Sequence, residues 1–252
     1  MNAPSLKAGE CHVWWARPQD RRIESLIGVL DAVELTRVPT YRRDEDRLRF
    51  VTACWLLRTA AGAQLGVAPE EVPVERGCDG CGKPHGRPRI LSPDPLHVSV
   101  SHSGERVAVA LTATGPVGVD VEVVPDAPLR ELVRCALSPA ESAALETLPE
   151  GERHAGFARL WTRKEAVLKA TGHGLRIAPN KVEVSEATEH PELIAWPLEI
   201  PPAALQLRTL FPGDGYTGTV AIITDHLPIT VVERNAAELA PADFPAAAPL
   251  AA

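Results

Sequence analysis

The chain reads as an α+β protein of two related halves, each running strand, long helix and then strands. Three observations carry this reading. Two long segments of helical period stand far apart in the chain, Tyr41 to Ala61 and Glu152 to Thr171. Short segments of alternating apolar residues flank both. Gly-, Pro- and Asp-rich stretches punctuate the joins.

In order, Cys11 to Ala16 reads as a short strand, and the first long helix follows from Leu48, Val51, Trp55 and Thr59 at helical spacing. Glu75 to Pro95 is dense in Gly, Pro and Cys and reads as a loop. His97 to His102 alternate as a strand, and Gly104 turns the chain. Val107, Val109 and Leu111 alternate with small residues, Gly115-Pro116 interrupts, and Val117, Val119, Val121 and Val123 alternate again, which predicts a hairpin with one buried face. Leu129 to Leu137 reads as a helix. At Ser138-Pro139-Ala140-Glu141 another begins: Ser138 caps, Pro139 suits the first helical position and Glu141 completes a capping box. The second long helix carries Phe157, Leu160, Trp161, Val167 and Leu168 and stops at Gly172-His173-Gly174. Strands are expected at Val182 to Val184, at Leu205 to Leu210 and Thr217 to Thr224 around a Pro-Gly-Asp-Gly turn, and at Ile229 to Glu233. The expected division is residues 1–105, residues 106–235 with the chemistry, and a disordered Ala- and Pro-rich tail, 236–252.

Composition bounds the function. At 252 residues, 45% hydrophobic and 23% charged, the chain can bury one large core or two small ones. No apolar run reaches the roughly 18–20 residues of a membrane helix, and MNAPSLKAGECHVWW has no signal-peptide core, so a cytoplasmic protein away from membranes is expected. A net charge of −7 argues against sequence-independent nucleic-acid binding. Five cysteines in a reducing compartment are free thiols or metal ligands rather than a disulfide framework.

In Gly118-Val119-Asp120-Val121-Glu122 the two acids lie two apart on a strand whose valines fill the other face, so both carboxylates project the same way, about 6.6 Å apart. Paired acids on an apolar strand repel each other and resist desolvation. A divalent cation with oxygen ligands relieves both, favouring magnesium or manganese over zinc. A solvated edge-strand face accounts for the pair equally well. Glu165 and Lys169, four apart, share a helix face; Glu165 offers a third acid to such a cation site, or the two are an ordinary surface pair. Ser101 and His102 close a strand before Gly104, where hydroxyl, imidazole and backbone N–H groups suit a phosphate, although a His at a strand end is often structural. Arg37, Arg42, Arg43, Arg47 and Arg49 form the densest basic cluster, suited to phosphate but interleaved with Asp44, Glu45 and Asp46. Cys78, Cys81 and His85 offer three zinc ligands without a fourth nearby, or a glycine-rich loop with two reduced thiols.

Gly118–Glu122 followed by Trp161-Thr-Arg-Lys-Glu-Ala-Val-Leu-Lys-Ala-Thr-Gly172, with Ser101–Gly104 upstream, resembles the surfactin-synthetase-activating (Sfp) type of 4'-phosphopantetheinyl transferase. The resemblance runs from about Cys11 to Glu233. It includes a basic first helix and Gly86-Arg87-Pro88 where the family has Gly-Lys-Pro. It implies two pseudo-twofold-related α+β subdomains with coenzyme A in the cleft between them. Magnesium would be held by Asp120, Glu122 and Glu165, and Lys169 would act on the pyrophosphate. Ser101 and His102 would lie on coenzyme A phosphates, and Arg37, Arg49 and Arg87 at the nucleotide end. Arg87 departs from the family's lysine in geometry though not in charge. The implied partners are acyl or peptidyl carrier proteins, and the protein is expected to act as a monomer. The base for the carrier serine would be Glu165 or a metal-held water that it orients. Leu132 and Leu137 are expected to offer the carrier an apolar surface. Two other classes stay open. One is a zinc-stabilised, non-catalytic nucleotide-binding module. The other is a different magnesium phosphotransferase, which would lack the GxxxxGK[ST] loop.

Overall fold

The computed structural model describes residues 5–77, 80–83, 86–199, 205–224 and 227–239. Along the chain run β1 (Glu10–Ala16), α1 (Ile23–Leu26), α2 (Ala32–Arg37), α3 (Asp44–Leu65), β2 (Val74–Glu75), β3 (Arg89–Ile90), β4 (His97–Ser103), β5 (Arg106–Thr112) and β6 (Val117–Val123). Then come α4 (Arg130–Ala136), α5 (Pro139–Thr147), α6 (Arg153–Ala170), β7 (Glu183–Val184), β8 (Leu193–Ala195), β9 (Leu205–Leu210), β10 (Tyr216–Ile223) and β11 (Thr230–Asn235). The fold is mixed α/β.

Two principal sheets form, one in the order β11-β1-β5-β4 and one in the order β6-β10-β9. The expected β5–β6 hairpin is not made. β5 pairs antiparallel with β1 and β4, whereas β6 pairs with β10. Both edges of β5 are already used, so β6 must start the second sheet. Alternation identified the strands but carries no information on which edges meet. The boundary expected at 105/106 falls in the turn between β4 and β5, strands of one sheet. β11 also returns from the far end of the sequence to pair parallel with β1.

Strand parity sorts the side chains into layers. From β1 and β5, Trp14, Val107, Val109 and Leu111 face α3, while Cys11, Val13, Ala108 and Ala110 meet Val117, Val119, Val121, Val220 and Ile222 of the other sheet. Both faces of β5 are therefore buried, not one. The third layer of packing lies under α6, where Phe157, Leu160, Val167 and Leu168 join Leu205, Leu207 and Ala221. α3 is buried on every side from Phe50 to Gly62. Arg58, 1% exposed, lies within it. It donates to Glu34 Oε2 (2.6 Å) and to the Val72 carbonyl (2.9 Å), pairs with Asp31, and so pins α2 to α3.

The capping box at the start of α5 forms as expected, with Ser138 N donating to Glu141 Oε2 and Glu141 N to Ser138 Oγ. The same Glu141 receives the ammonium of the fully buried Lys164, which also donates to the carbonyls of Pro179 and Val182. Residues 236–239, expected within a disordered tail, are ordered into a turn. Ala236–Leu239 form a 3-10 turn whose Ala236 and Leu239 enter the first core, and residues 240–252 lie outside those described. No helix among the described residues is long and apolar enough to cross a membrane.

Candidate active site

The two sheets meet edge to edge at β4 and β6, and the strands are joined there by side chains. Ser99, Ser101 and Ser103 alternate on β4, and their hydroxyls accept from the backbone N–H groups of Val119 (3.0 Å), Val121 (3.3 Å) and Val123 (3.2 Å). Each serine replaces a carbonyl of an ordinary ladder, which satisfies the buried amides of β6.

Since Val117, Val119 and Val121 fill the space between the sheets, Gly118, Asp120 and Glu122 must face α6. Gly118 lets that helix come close. A Cβ there would lie 2.0 Å from the Ala166 carbonyl oxygen and 2.4 Å from the Ala170 amide nitrogen. The contact sets the residues before those two, Glu165 and Lys169, beside the β6 acids. Gly104, at φ +52°, turns β4 into β5, and a Cβ there would meet Tyr216 and Val123 at 2.6 and 2.7 Å.

Lys169 Nζ donates to Asp120 Oδ1 (2.7 Å), Ser101 Oγ (3.0 Å) and the Val119 carbonyl (3.0 Å). It is thus the counter-ion of Asp120, not the surface partner of Glu165. Ser101 Oγ donates to Asp120 Oδ1 (2.9 Å) and Ser103 Oγ to Glu122 Oε2 (2.7 Å). Desolvation, then the charge of Asp120, raises Glu165 to about 6; Lys169 opposes this and Glu122 adds to it. Glu122 is raised for the same two leading reasons, against its bonds to Ser103 and the pull of Lys169 and Trp161. Asp120 is 2% exposed.

Among the described residues no three His, Cys, Asp or Glu side chains close into a ready ligand cluster. The acids nevertheless fit a hard cation in their chemistry. Asp120 Oδ2 and Glu165 Oε1 are buried with no hydrogen-bond partner, the costly condition that a cation with oxygen ligands removes. The expected zinc set finds no such support. Cys81 is exposed, and Cys78 and His85 lie outside the described residues.

The remaining expected residues are spread around this centre. Arg87 donates to the carbonyls of Lys169 (3.0 Å) and Ala170 (3.2 Å) and so caps the end of α6. Arg49 ties the first turn of α3 to the β4–β5 turn, donating to Asp46 (2.5 Å) and the Gly104 carbonyl (3.1 Å). His102 sits near both Arg49 and Lys169. Surrounding protein, then the Lys169 charge, lowers its pKa. Arg37 lies over the Phe50 ring at 5.0 Å and reaches the Tyr41 hydroxyl. Sequence reasoning missed Ser103, although its period-two spacing from Ser101 and Ser99 was visible.

Carboxylates, a lysine and arginines gathered at one seam are the equipment of an enzyme that handles phosphorylated groups. The family model of the 4'-phosphopantetheinyl transferase superfamily matches residues 116–221, the segment that contains β6, α6 and most of β10. The chain is similar to the 4'-phosphopantetheinyl transferase HetI of a Nostoc species, at 32% identity over 228 residues, 86% of this chain and 90% of that one. It is also similar to AcpT of Salmonella typhimurium, at 35% over 122 residues (48% and 59%), and to the 4'-phosphopantetheinyl transferase of Bacillus subtilis, at 25% over 154 residues (61% and 65%). The chain belongs to the 4'-phosphopantetheinyl transferase superfamily, and it is a transferase.

Proposed function

We propose that the chain moves the 4'-phosphopantetheine arm of coenzyme A onto a serine of an apo acyl or peptidyl carrier protein, as an Sfp-type member of the superfamily. In this reading the two α/β halves are pseudo-twofold related and coenzyme A lies in the cleft between them. The carrier hydroxyl attacks the pantetheine-side phosphorus. A new P–O bond forms, the pyrophosphate P–O bond breaks, and adenosine 3',5'-bisphosphate leaves.

The observation that carries the proposal is the convergence of Asp120, Glu122, Glu165 and Lys169, with two buried carboxylate oxygens lacking any donor. These oxygens, with Glu122, would hold magnesium or manganese, which when bound supplies positive charge to the pyrophosphate. Lys169 lies beside the same acids and offsets charge on the leaving phosphate. Burial and the Asp120 charge raise Glu165 to about 6 in the metal-free site, and Glu165, or a water that it orients, would accept the serine proton. Arg49, Arg87 and His102 surround the centre with positive charge or donors for the nucleotide end.

A cavity of about 550 Å³ opens beside Glu122, lined by Val123, Leu132, Cys135, Phe157 and Trp161. It supports the carrier docking next to the acids. Leu132 is 42% exposed and available for this, whereas Leu137, 4% exposed, belongs to the core under α6 and is withdrawn from the docking surface. The test is incubation with coenzyme A, magnesium and several apo carrier proteins, followed by mass spectrometry. One phosphopantetheine added to the carrier is expected, and no adduct on any carrier refutes the function. Leu132→Asp should raise the KM for carrier and leave that for coenzyme A unchanged.

A further inference from the structure

The alternate serines of β4 differ in a way that separates architecture from chemistry. All three accept a β6 amide N–H at 3.0–3.3 Å. A hydroxyl has one proton to give. Ser101 gives its proton to Asp120 Oδ1 and Ser103 gives its proton to Glu122 Oε2, while Ser99 touches neither carboxylate. We propose that Ser101 and Ser103 are positioning residues that fix the orientation of the Asp120 and Glu122 carboxylates, and that Ser99 serves only the seam. The inference rests on the reading of those two acids as metal ligands.

Three features support it. First, the hydroxyl direction is imposed. Once the oxygen accepts from the amide, its proton must point away, toward the carboxylate, so each chain runs amide to hydroxyl to carboxylate and each bond polarises the next. Second, at Asp120 the serine helps select which oxygen remains. Ser101 and Lys169 both occupy Asp120 Oδ1, and it is Oδ2 that stays buried and without a partner, as does Glu165 Oε1. Third, the device is rigid. Asp120 and Ser101 are 2% and 7% exposed, and the serines sit on a strand paired along its whole length to β5. Groups that hold a ligand through a hydrogen bond in this way typically change metal affinity about 10–100-fold when removed.

Ser99 provides an internal control, since Ser99→Ala and Ser103→Ala each delete one seam bond but only the second frees a carboxylate. Binding of Mn²⁺ to the full-length protein, followed by electron paramagnetic resonance of the free ion, should weaken about 10–100-fold in Ser103→Ala. In Ser99→Ala it should stay within about twofold of the parent, although that variant, whose seam bond is the buried one, should lose at least as much Tm. Ser103→Thr, which keeps the hydroxyl, should restore the affinity. Equal weakening in Ser99→Ala and Ser103→Ala, or none in either, overturns the proposal. Should Ser103→Ala fail to fold, Ser103→Cys, with a weaker donor of different reach, makes the same comparison. If the parent protein takes up no Mn²⁺, the metal reading falls. The positioning claim is then decided in the metal-free protein by the side-chain ¹³C carboxyl shift of Glu122, which Ser103→Ala should move and Ser99→Ala should not. An unmoved shift overturns it.

Discussion

Replacing Gly118 by alanine adds one methyl group and tests the whole placement of the site. The new Cβ would lie 2.0 Å from the Ala166 oxygen and 2.4 Å from the Ala170 nitrogen, with Lys169 Cβ at 2.9 Å. Real Cβ contacts essentially never fall under 3.0 Å, so α6 must retreat from β6 by about 1 Å. Two of the three obstacles are helix backbone, and the neighbouring valines and α6 residues are fully buried, so no flexible side chain can absorb the clash. Overpacking of this kind costs about 1–3 kcal/mol, and obstruction by backbone argues for the upper end. Removing a glycine from a strand returns only about 0.5–1 kcal/mol, so the clash wins. The net cost of about 2–2.5 kcal/mol is, for a chain of this size, a fall in Tm of about 4–10 °C.

The effect on activity should exceed the effect on stability. Glu165 and Lys169 immediately precede Ala166 and Ala170 and move with them, and a displacement of about 1 Å can cost about 100-fold in rate. Thermal unfolding by circular dichroism and kcat/KM for carrier modification measure the two parts. Gly28→Ala is the control, because a Cβ there meets nothing within 4 Å. A Gly118→Ala protein that melts within about 2 °C of the parent and retains full activity would refute the close approach of α6 to β6.

Three further outcomes follow from the same geometry. Glu165 is raised from 4.5 to about 6, so the folded state binds its proton more tightly than the unfolded state; stability should fall as pH rises from about 4.5 to about 6, and Glu165→Gln should reduce that slope, leaving the part due to Glu122, and gain about 1 kcal/mol at pH 7.5 while losing activity, as read by urea unfolding at several pH values. Lys169→Ala should lower kcat more than it weakens Mn²⁺ binding, since in the proposed reading the ammonium acts on the leaving phosphate and is no metal ligand; equal losses, or unchanged turnover, count against its role. Lys164→Ala leaves Glu141 buried without its cation and should cost about 3–5 kcal/mol in denaturant titrations, and Lys164→Met with Glu141→Leu should not restore it, because Ser138 N and Val184 N then lose their buried acceptor.

Much of this site was legible because two periodicities suffice to place it. Parity along β6 sends Asp120 and Glu122 opposite to the valines, and the four-residue spacing of Glu165 and Lys169 puts both on one face of α6. The capping box at Ser138 and the glycine stop after α6 were equally local, and they formed as read. What sequence could not supply was the identity of neighbours across space. β5 and β6 look like consecutive strands of a hairpin, yet their edges go to β1, β4 and β10. β11 joins β1 in parallel from the other end of the chain.

That topological gap explains which contacts of the site the sequence does not show. On an isolated helix only Glu165 is within reach of Lys169. The close approach allowed by Gly118 brings Asp120 closer still. Nothing in a one-dimensional reading places an amide of β6 opposite Ser101, whose hydroxyl engages Val121, Asp120 and Lys169 together. Ser103 was passed over for the same reason. A strand of alternating serines is poor at forming a core and unremarkable at a surface, and it gains a purpose only where its side chains substitute for a missing strand partner. Alternating hydroxyls facing an acid-bearing strand are therefore a signal of edge-to-edge contact, one that becomes readable once the acids themselves are recognised.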